Sequence, residues 1–279
     1  MVKKKYFGTI VPAVTPLNAD LTLDTAAVER LFERFRQHSV MPFILGTTGE
    51  APSLPTAVKQ MYIRQAGRLK QGGDCLYVGI GTNCLADSIE WAHRAFDEGA
   101  DVVVATLPSY YPLTEGQMRK YFEQLAGRAG GPLMIYNIPS TTHVSIPLEV
   151  INDLSRHPQI VGLKDSERNV DRLQTALRLW SQRSDFSHFL GWIAKADVAL
   201  TDGTDGLVPS SANFAPGIYK KMEKAAAEAD RDTLSRLQLQ SNQLGESYQA
   251  GRTLGESLAA LKLIMQREGL CQPYMMPPL

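Results

Sequence analysis

The chain has 279 residues, of which 44% are hydrophobic and 21% are charged, a composition typical of globular proteins and unlike that of disordered or fibrous ones. Its 29 basic and 29 acidic side chains leave no formal net charge, so it lacks the basic excess expected of a protein that binds nucleic acid or of a polybasic membrane protein. Proline, glycine or charged residues interrupt every apolar run before it reaches the ~18 residues of a membrane helix. We therefore expect small-molecule partners, no nucleic acid, no membrane and a cytoplasmic location.

Short β-branched runs alternate along the chain with amphipathic patterns, which predicts repeated strand–helix units and a parallel sheet. In the first predicted helix Val28, Leu31 and Phe35 recur at helical spacing, and Asp24 precedes them as a capping residue. Strands are predicted at residues 9–14, 42–45, 76–81, 101–106, 132–138, 160–164, 186–190 and 206–208. Helices are predicted at residues 25–38, from about 55, and at 88–97, 117–128, 147–156, 170–182, 196–201 and 215–229.

About eight strand–helix pairs are the number that closes a (β/α)8 barrel, and the sequence predicts this α/β fold for residues 1–229. Two further helices, joined near Gly251, form a C-terminal helical appendage at residues 230–279. The main rival fold is a doubly wound open sheet, which requires a glycine-rich phosphate-binding turn after its first strand. Residues 12–16 read Pro-Ala-Val-Thr-Pro, so the barrel is favoured.

The three cysteines, Cys75, Cys84 and Cys271, are too few and too scattered for a disulfide framework or a structural zinc site. We expect them to be buried apolar side chains, because an unpaired cysteine usually behaves in this way. The spacing of histidine and acidic residues likewise indicates no metal site. The sequence thus predicts neither a metal nor an organic cofactor.

Polar motifs end several of the apolar runs, and catalytic residues of (β/α)8 barrels lie at the carboxyl ends of the strands. These motifs are therefore the candidate site. They are Gly-Thr-Thr-Gly-Glu at residues 46–50, Pro-Ser-Tyr-Tyr-Pro at 108–112, Tyr-Asn-Ile-Pro at 136–139 and Gly-Leu-Lys-Asp-Ser at 162–166.

Lys164 is the most informative residue in these motifs, because it ends an apolar strand, where an amine loses solvation. Loss of solvation lowers the pKa of the amine and frees its lone pair to attack a carbonyl group. This is Schiff-base chemistry. The structural alternative is that Lys164 pairs with Asp165 or extends to the barrel rim. For Tyr110 and Tyr136 the alternative is that they pack as aromatic side chains whose hydroxyls find a partner.

Thr47 and Thr48 lie between glycines, where two hydroxyls and their backbone N–H groups can bind a carboxylate, although a plain turn explains the pattern equally well. Glu50 lies beyond the strand end, and we assign it a structural role. His143 follows Tyr136 closely, so contact with substrate and a surface position are both open. Residues 137 and 139 are expected to shape the turn.

Taken together and in this order, the motifs resemble those of the dihydrodipicolinate synthase and N-acetylneuraminate lyase family of class I aldolases. The resemblance covers the whole chain and implies a homotetrameric barrel in which Lys164 forms a Schiff base with pyruvate or another 2-oxo acid, without a cofactor. It also implies that Tyr136 transfers protons and that Thr47 with Thr48 holds the substrate carboxylate. By the same resemblance Thr47 links Tyr136 to a tyrosine donated by a neighbouring subunit.

The donated tyrosine matches Tyr110 better than Tyr111, which the resemblance makes an interface residue. Gly206 and Val208 match positions beside the imine, so we assign Val208 to substrate binding.

The sequence departs from both named members of the family where the second half of the substrate binds. The synthase carries an arginine after Tyr-Asn-Ile-Pro-Ser, and this chain has Thr141. The lyase carries acidic residues after the glycine that ends strand seven, and here Gly191 is followed by Trp192 and Ile193. We expect Thr141 and Gly191 to contact substrate, and Trp192 indicates a shorter or more apolar substrate tail.

The leading hypothesis is a lyase that reversibly cleaves a small 4-hydroxy-2-oxo or 2-oxo-3-deoxy acid into pyruvate and an aldehyde through an imine on Lys164. One alternative is dihydrodipicolinate synthase, which condenses pyruvate with aspartate semialdehyde. Thr141 argues against it, because a neutral hydroxyl replaces a charged carboxylate clamp. The other alternative is a barrel that binds a 2-oxo acid without turnover, against which the joint presence of Lys164, Tyr136 and Thr47 argues.

Overall fold

The computed structural model describes residues 4–279, and within them the strands form a closed parallel barrel in the chain order β1 to β8. The strands β1 to β8 span Gly8–Pro12, Met41–Ile44, Tyr77–Gly79, Val102–Ala105, Leu133–Asn137, Ile160–Asp165, Ser187–Leu190 and Gly206–Leu207. The predicted (β/α)8 barrel is therefore confirmed, and the doubly wound sheet is excluded.

Helices connect the strands and continue beyond the last one. The helices α1 to α11 span Thr25–Gln37, Thr56–Leu69, Leu85–Asp97, Glu115–Arg128, Pro139–Thr142, Leu148–Leu154, Val170–Trp180, Ala196–Asp202, Pro216–Ala227, Arg231–Gln249 and Leu254–Arg267. The last two confirm the predicted helical extension. The division of the chain at residue 229 into barrel and appendage stays a prediction.

One compact unit contains Tyr77–Val208 together with the described residues up to Gly8. Its strand β4 is buried along its whole length, as expected for a strand covered on both faces. At β8 the backbone of Gly206 passes so close to its neighbours that an added Cβ would lie 2.0 Å from the carbonyl oxygen of Gly8 and 2.6 Å from the ring of Phe189. Glycine is therefore required where β8 meets the first residue of β1.

The other compact unit contains Thr9–Leu76 and Pro209–Leu279. In it, Asp24 caps α1 by accepting a hydrogen bond from the backbone N–H of Ala27 at 2.9 Å, as predicted. The strand β1 pairs in parallel with β2. The final helices α10 and α11 each begin with a capping side chain, Asp230 and Thr253 respectively.

Several element boundaries differ from the sequence-based ones, and in α4 the reason is a capping group that precedes the apolar pattern. The helix α4 begins two residues before the predicted residue 117, where Thr114 and Gln117 form a reciprocal capping box. The helix α3 begins at Leu85 rather than at 88. The short helix α5 was not predicted, because its four residues are too few to show a helical period.

The prediction that all the cysteines are buried is wrong for two of them. Cys271 is buried, whereas Cys84 is exposed at the N-cap position of α3 and Cys75 is half-buried. Cys84 lies in the loop just before α3, and this position exposes its thiol to solvent although an unpaired cysteine is an apolar side chain. Within residues 4–279, no helix is long and apolar enough to cross a membrane, and no cluster of three or more histidine, cysteine or acidic residues is arranged to hold a metal ion.

A buried ion pair ties the C-terminal segment to the turn after β2. Lys262 of α11 places its Nζ 2.6 Å from Oε1 of Glu50 and donates a hydrogen bond to the carbonyl oxygen of Tyr274 at 2.6 Å. The second oxygen of Glu50 accepts from the backbone N–H of Met276 at 2.8 Å. Burial lowers the pKa of Lys262, and the charge of Glu50 opposes this shift. Glu50 thus has the structural role that its position indicated.

Substitution Lys262→Met should destabilise the fold strongly, because it leaves the carboxylate of Glu50 buried without its cation. We expect the free energy of unfolding to fall by ~3–5 kcal/mol, measured by urea denaturation. The double variant Lys262→Met/Glu50→Gln should recover part of this loss. The matched control is Lys224→Met, which removes an exposed ion pair with Glu228 and should change stability little. A single variant as stable as the control would contradict the prediction.

Candidate active site

The two central side chains of the site lie opposite each other on paired strands. In the parallel pairing of β5 with β6, Tyr136 is opposite Lys164 and Asn137 is opposite Asp165. Because successive side chains of a strand point to opposite faces, Tyr136 and Lys164 share one face and the other two share the reverse face. Lys164 and Tyr136 are each 5% exposed. The fold therefore places the predicted nucleophile and the predicted proton-transfer residue side by side in a buried position.

The amine of Lys164 is in close contact with the ring of Tyr136, at 3.7 Å from Nζ to the ring centroid. Burial lowers the pKa of Lys164 below its ordinary value of 10.5, while the charge and the hydrogen bond of the Tyr136 side chain oppose this shift. A lowered pKa increases the fraction of neutral amine near neutral pH, and the neutral amine is the form that attacks a carbonyl carbon.

Asp165 does not supply the partner that the structural alternative for Lys164 required. Its Oδ2 accepts a hydrogen bond from Nε of Arg172 at 2.6 Å, and its Oδ1 accepts from Nδ2 of Asn137 at 2.8 Å. This carboxylate is engaged on the reverse face of the two strands. The position of Asp165 thus favours the nucleophilic interpretation of Lys164 over a local ion pair.

Gly191 and Val208 follow the ends of β7 and β8. The backbone N–H of Gly191 donates to the carbonyl oxygen of Asp165 at 2.7 Å, and a Cβ on Gly191 would lie 2.1 Å from Oγ of Ser166. Val208 is buried and donates its N–H to the carbonyl oxygen of Leu190 at 2.8 Å. Both residues are in the same compact unit as Lys164. Their assignment to substrate binding stays a prediction.

Thr141 belongs to the short helix α5, which follows β5 and begins three residues after Tyr136, at Pro139. Its hydroxyl donates to the carbonyl oxygen of Ile138 at 3.3 Å, and the side chain is half-buried. His143 ends the same helix with a left-handed backbone, φ +57°, and is exposed. The structure thus shows the surface position that the sequence left open for His143.

Tyr110 and Tyr111 project from the loop between β4 and α4. They are 76% and 71% exposed, and their rings contact each other edge to face with centroids 4.9 Å apart. Oδ1 of Asn83 accepts hydrogen bonds from the backbone N–H groups of Ser109 at 2.8 Å and Tyr110 at 3.3 Å. This anchoring presents two aromatic rings on the surface of the single chain.

Thr47 and Thr48 occupy the turn after β2, in the other compact unit. The turn is closed by a hydrogen bond from the N–H of Glu50 to the carbonyl oxygen of Thr47 at 3.1 Å. Oγ1 of Thr15 donates to the carbonyl oxygen of Gly49 at 2.6 Å, and a Cβ on Gly49 would lie 3.0 Å from the carbonyl oxygen of Ala13. The glycine is therefore needed for close packing of the turn.

A buried histidine and a partly buried arginine are absent from the residues predicted from the sequence. His188 on β7 stacks on Trp180, and burial lowers its pKa to about 4. It is therefore neutral at neutral pH and serves as a packing residue. Arg172 lies on α7, where its contact with Asp165 could not be read from spacing. The local signal in the sequence is that Arg172 is the third residue of a helix capped by Asn169.

Residues 5–279 match the dihydrodipicolinate synthetase family. The chain belongs to this family. It is 30% identical over 280 residues to the probable 2-dehydro-3-deoxy-D-pentonate aldolase YjhH of Escherichia coli, covering 99% of this chain and 92% of that protein. Family members are lyases, and this chain is a lyase.

Solved structures of the family share the fold closely. The dihydrodipicolinate synthase of Bacteroides thetaiotaomicron superposes with a TM-score of 0.94 at 30% identity, covering 100% of this chain and 94% of that one. The prophage protein YagE of Escherichia coli, solved in complex with pyruvate, superposes with a TM-score of 0.92 at 25% identity, covering 99% and 93%. The family resemblance predicted from the motifs is therefore confirmed.

Substitution Tyr136→Phe should lower the pKa of Lys164 further, because it removes the hydroxyl that opposes the effect of burial. The measurement uses pyruvate as a probe and records the pH dependence of its borohydride-trapped labelling of Lys164 by peptide mass spectrometry. We expect the midpoint of the rising limb to move to lower pH. Tyr121→Phe, at a buried tyrosine of α4, is the control and should leave the midpoint unchanged. A midpoint unmoved by Tyr136→Phe contradicts the prediction.

Proposed function

We propose that this lyase is a class I aldolase that cleaves a small 4-hydroxy-2-oxo or 2-oxo-3-deoxy acid into pyruvate and an aldehyde through an imine on Lys164. The observation that carries the proposal is the buried amine of Lys164, with its lowered pKa, in contact with Tyr136. Two comparisons support the substrate class. A relative is named as a probable 2-dehydro-3-deoxy-D-pentonate aldolase, and the structure of YagE contains pyruvate.

The reaction begins when the neutral amine of Lys164 attacks the C2 carbonyl carbon of the 2-oxo acid and the carbonyl oxygen leaves as water. The resulting protonated imine is an electron sink. A base then removes the proton of the 4-hydroxyl, the C3–C4 bond breaks, and its electron pair forms an enamine while the aldehyde departs. Protonation of C3 and addition of water to the imine release pyruvate and restore the amine, so the water lost in the first step is returned.

Tyr136 is the group that we assign to these proton transfers. Its side chain contacts the reacting nitrogen, and a positioned general acid or base of this kind accelerates a reaction by about 10²–10⁴-fold. The same contact keeps the hydroxyl within the buried site, where few waters compete for the proton. Lys164 and Tyr136 together therefore supply both the electron sink and the proton-transfer group.

The binding of the rest of the substrate is assigned from the resemblance. Thr47 and Thr48 are proposed to hold the carboxylate, and Gly191, Val208 and Thr141 to contact the substrate. The turn that contains the threonines offers two hydroxyls in a backbone conformation fixed by Gly49. The half-buried Trp192 follows Gly191 and favours a substrate tail without a second carboxylate.

Condensation of pyruvate with aspartate semialdehyde is the second candidate function, favoured by the 30% identity to the synthase of Bacteroides thetaiotaomicron. Thr141 argues against it. Its neutral hydroxyl already donates to the backbone carbonyl of Ile138, the residue before its helix, and it cannot replace a charge-assisted clamp on a carboxylate. Efficient condensation of pyruvate with aspartate semialdehyde by the purified protein would contradict the aldolase proposal and support the synthase. Membership of a lyase family argues against the third hypothesis, binding without turnover.

Trapping with borohydride tests the imine directly. Incubation with pyruvate and borohydride should add one stable adduct at Lys164, located by peptide mass spectrometry, and Lys164→Ala should abolish it. Thr47→Val and Thr48→Val should still form the adduct but require more pyruvate for half-maximal trapping. An adduct that persists in Lys164→Ala, or no adduct in the unaltered protein, would remove the proposed chemistry.

The exposed pair Tyr110 and Tyr111 supports a shared site in an oligomer, which we propose to be a homotetramer. An aromatic side chain that is 76% exposed in one chain is suited to contact a second copy. In this proposal Tyr110 completes the proton relay of a neighbouring subunit.

Mixing subunits tests the shared site. Tyr110→Phe and Lys164→Ala should each be nearly inactive alone, and hybrids of the two should regain part of the aldolase activity because some sites combine an intact lysine with an intact donated tyrosine. Hybrid formation is checked by native mass spectrometry. Hybrids that form but remain as inactive as their parents would show that Tyr110 acts within its own chain or not at all.

A further inference from the structure

A polar network with a buried centre lies behind the two reacting side chains, on the reverse face of β5 and β6. Its centre is Asp165. Oδ2 of Asp165 accepts a hydrogen bond from Nε of Arg172 at 2.6 Å, and Oδ1 accepts from Nδ2 of Asn137 at 2.8 Å and from the backbone N–H of Glu167 at 3.0 Å. The side chains of Arg172 and Asp165 are 9% and 5% exposed. We call Asn137, Asp165, Glu167 and Arg172 the Asp165 network.

Asn137 uses both ends of its amide in this network. Nδ2 also donates to Oε2 of Glu167 at 3.0 Å, and Oδ1 accepts from the backbone N–H of Ile146 at 3.1 Å. Glu167 in turn accepts a hydrogen bond from Oγ of Ser145 at 2.6 Å. The amide of Asn137 therefore joins β5, the residues after β6 and the segment that leads into α6.

The network is one peptide bond away from each reacting residue. Asn137 directly follows Tyr136, and Asp165 directly follows Lys164, at the last paired positions of β5 and β6. Beyond them, the N–H of Ser166 donates to the carbonyl oxygen of Asn137 at 2.9 Å. This backbone bond and the side-chain bond between Asn137 and Asp165 hold the two strand ends together where the regular strand pairing stops.

Stability alone is a weak reason for a buried ion pair, because removing two charges from water offsets most of their attraction. Alignment is a stronger reason, since displacement of a reacting group by about 1 Å can slow a reaction by about 10²-fold. The two chemical stages differ in this respect. Imine formation ends when the carbonyl oxygen has left as water, and trapping reports only that this state is reached, whereas proton transfer at C3 requires the Tyr136 hydroxyl to be aligned with the substrate held on Lys164.

We propose that the Asp165 network is a positioning network that holds Lys164 and Tyr136 in register for proton transfer. The inference rests on the proposed function, in which Lys164 forms an imine with a 2-oxo acid. Arg172 fixes the carboxylate of Asp165 to α7, and Asn137 carries that constraint across to β5. The network acts on the reaction through Lys164 and Tyr136 and does not contact the substrate.

The experiment separates imine formation from proton transfer with one probe, pyruvate. Borohydride trapping reports the imine at Lys164, and exchange of the pyruvate methyl hydrogens with deuterium in D2O, followed by NMR, reports proton transfer. The variants are Arg172→Met and Asn137→Ala. The matched control is Arg183→Met, at a second partly buried arginine that follows α7 and bonds to Ser155 and Asp185.

Arg172→Met and Asn137→Ala should each lower the maximal exchange rate tenfold or more, while trapping at Lys164 still reaches completion and the pyruvate concentration for half-maximal exchange changes less than threefold. Arg183→Met should exchange within twofold of the unaltered protein. A residue with a merely structural role would change the thermal midpoint without this split between trapping and exchange.

The proposal is overturned if both variants exchange pyruvate within twofold of the unaltered protein, or if Arg183→Met loses as much activity as they do. Should Arg172→Met fail to fold because Asp165 is left buried without a cation, Asn137→Ala decides alone, since it leaves no charge unpaired. An unaltered protein that traps no pyruvate overturns the proposed function and with it this inference. The two failures are distinguishable. If only this inference fails, the unaltered protein still traps and exchanges pyruvate, whereas if the proposed function fails it traps none.

Discussion

The burial of one amine imposes the main constraint on this protein. Lys164 is 5% exposed on β6, so its charged form is destabilised and its neutral form is available to react. An amine in such a position must be held by a rigid frame, because a mobile chain would let it return to water. The closed barrel supplies that frame, since each strand is fixed by neighbours on both sides. The reactivity that we propose for Lys164 is therefore a consequence of the fold.

The alternation of side chains along β5 and β6 separates two tasks. One face carries Lys164 and Tyr136, and the reverse face carries Asn137 and Asp165. A charged carboxylate one residue from the amine would form an ion pair with it if both shared a face. Placing Asp165 on the reverse face, bonded to Arg172, keeps the amine available while the carboxylate ties the strand to a helix.

The sequence was sufficient for the barrel, the helical extension and the residues at strand ends, because these depend on local periodicity and on polar residues that follow apolar runs. It was insufficient for contacts between distant segments. Arg172 occupies an ordinary helical position, and its contact with Asp165 depends on how α7 packs. The pairing of Glu50 with Lys262 joins a turn to the last helix, and no local pattern encodes it. Helix starts were misplaced where a capping group, such as Thr114, precedes the apolar pattern.

Glu50 and Asp165, the acidic residues of two of the predicted site motifs, share a structural role. Glu50 follows the Gly-Thr-Thr-Gly turn, and Asp165 follows Lys164, so each lies within a motif that also contains predicted substrate-binding or reacting residues. Each is buried and paired with a cation from a helix, Lys262 in one compact unit and Arg172 in the other. Removing a carboxylate from water requires such a partner, and the partner in turn fixes the backbone that carries the carboxylate. Motif membership therefore does not make these carboxylates acid–base groups, because both oxygens of each are already bound, one by the cation and the other by N–H groups.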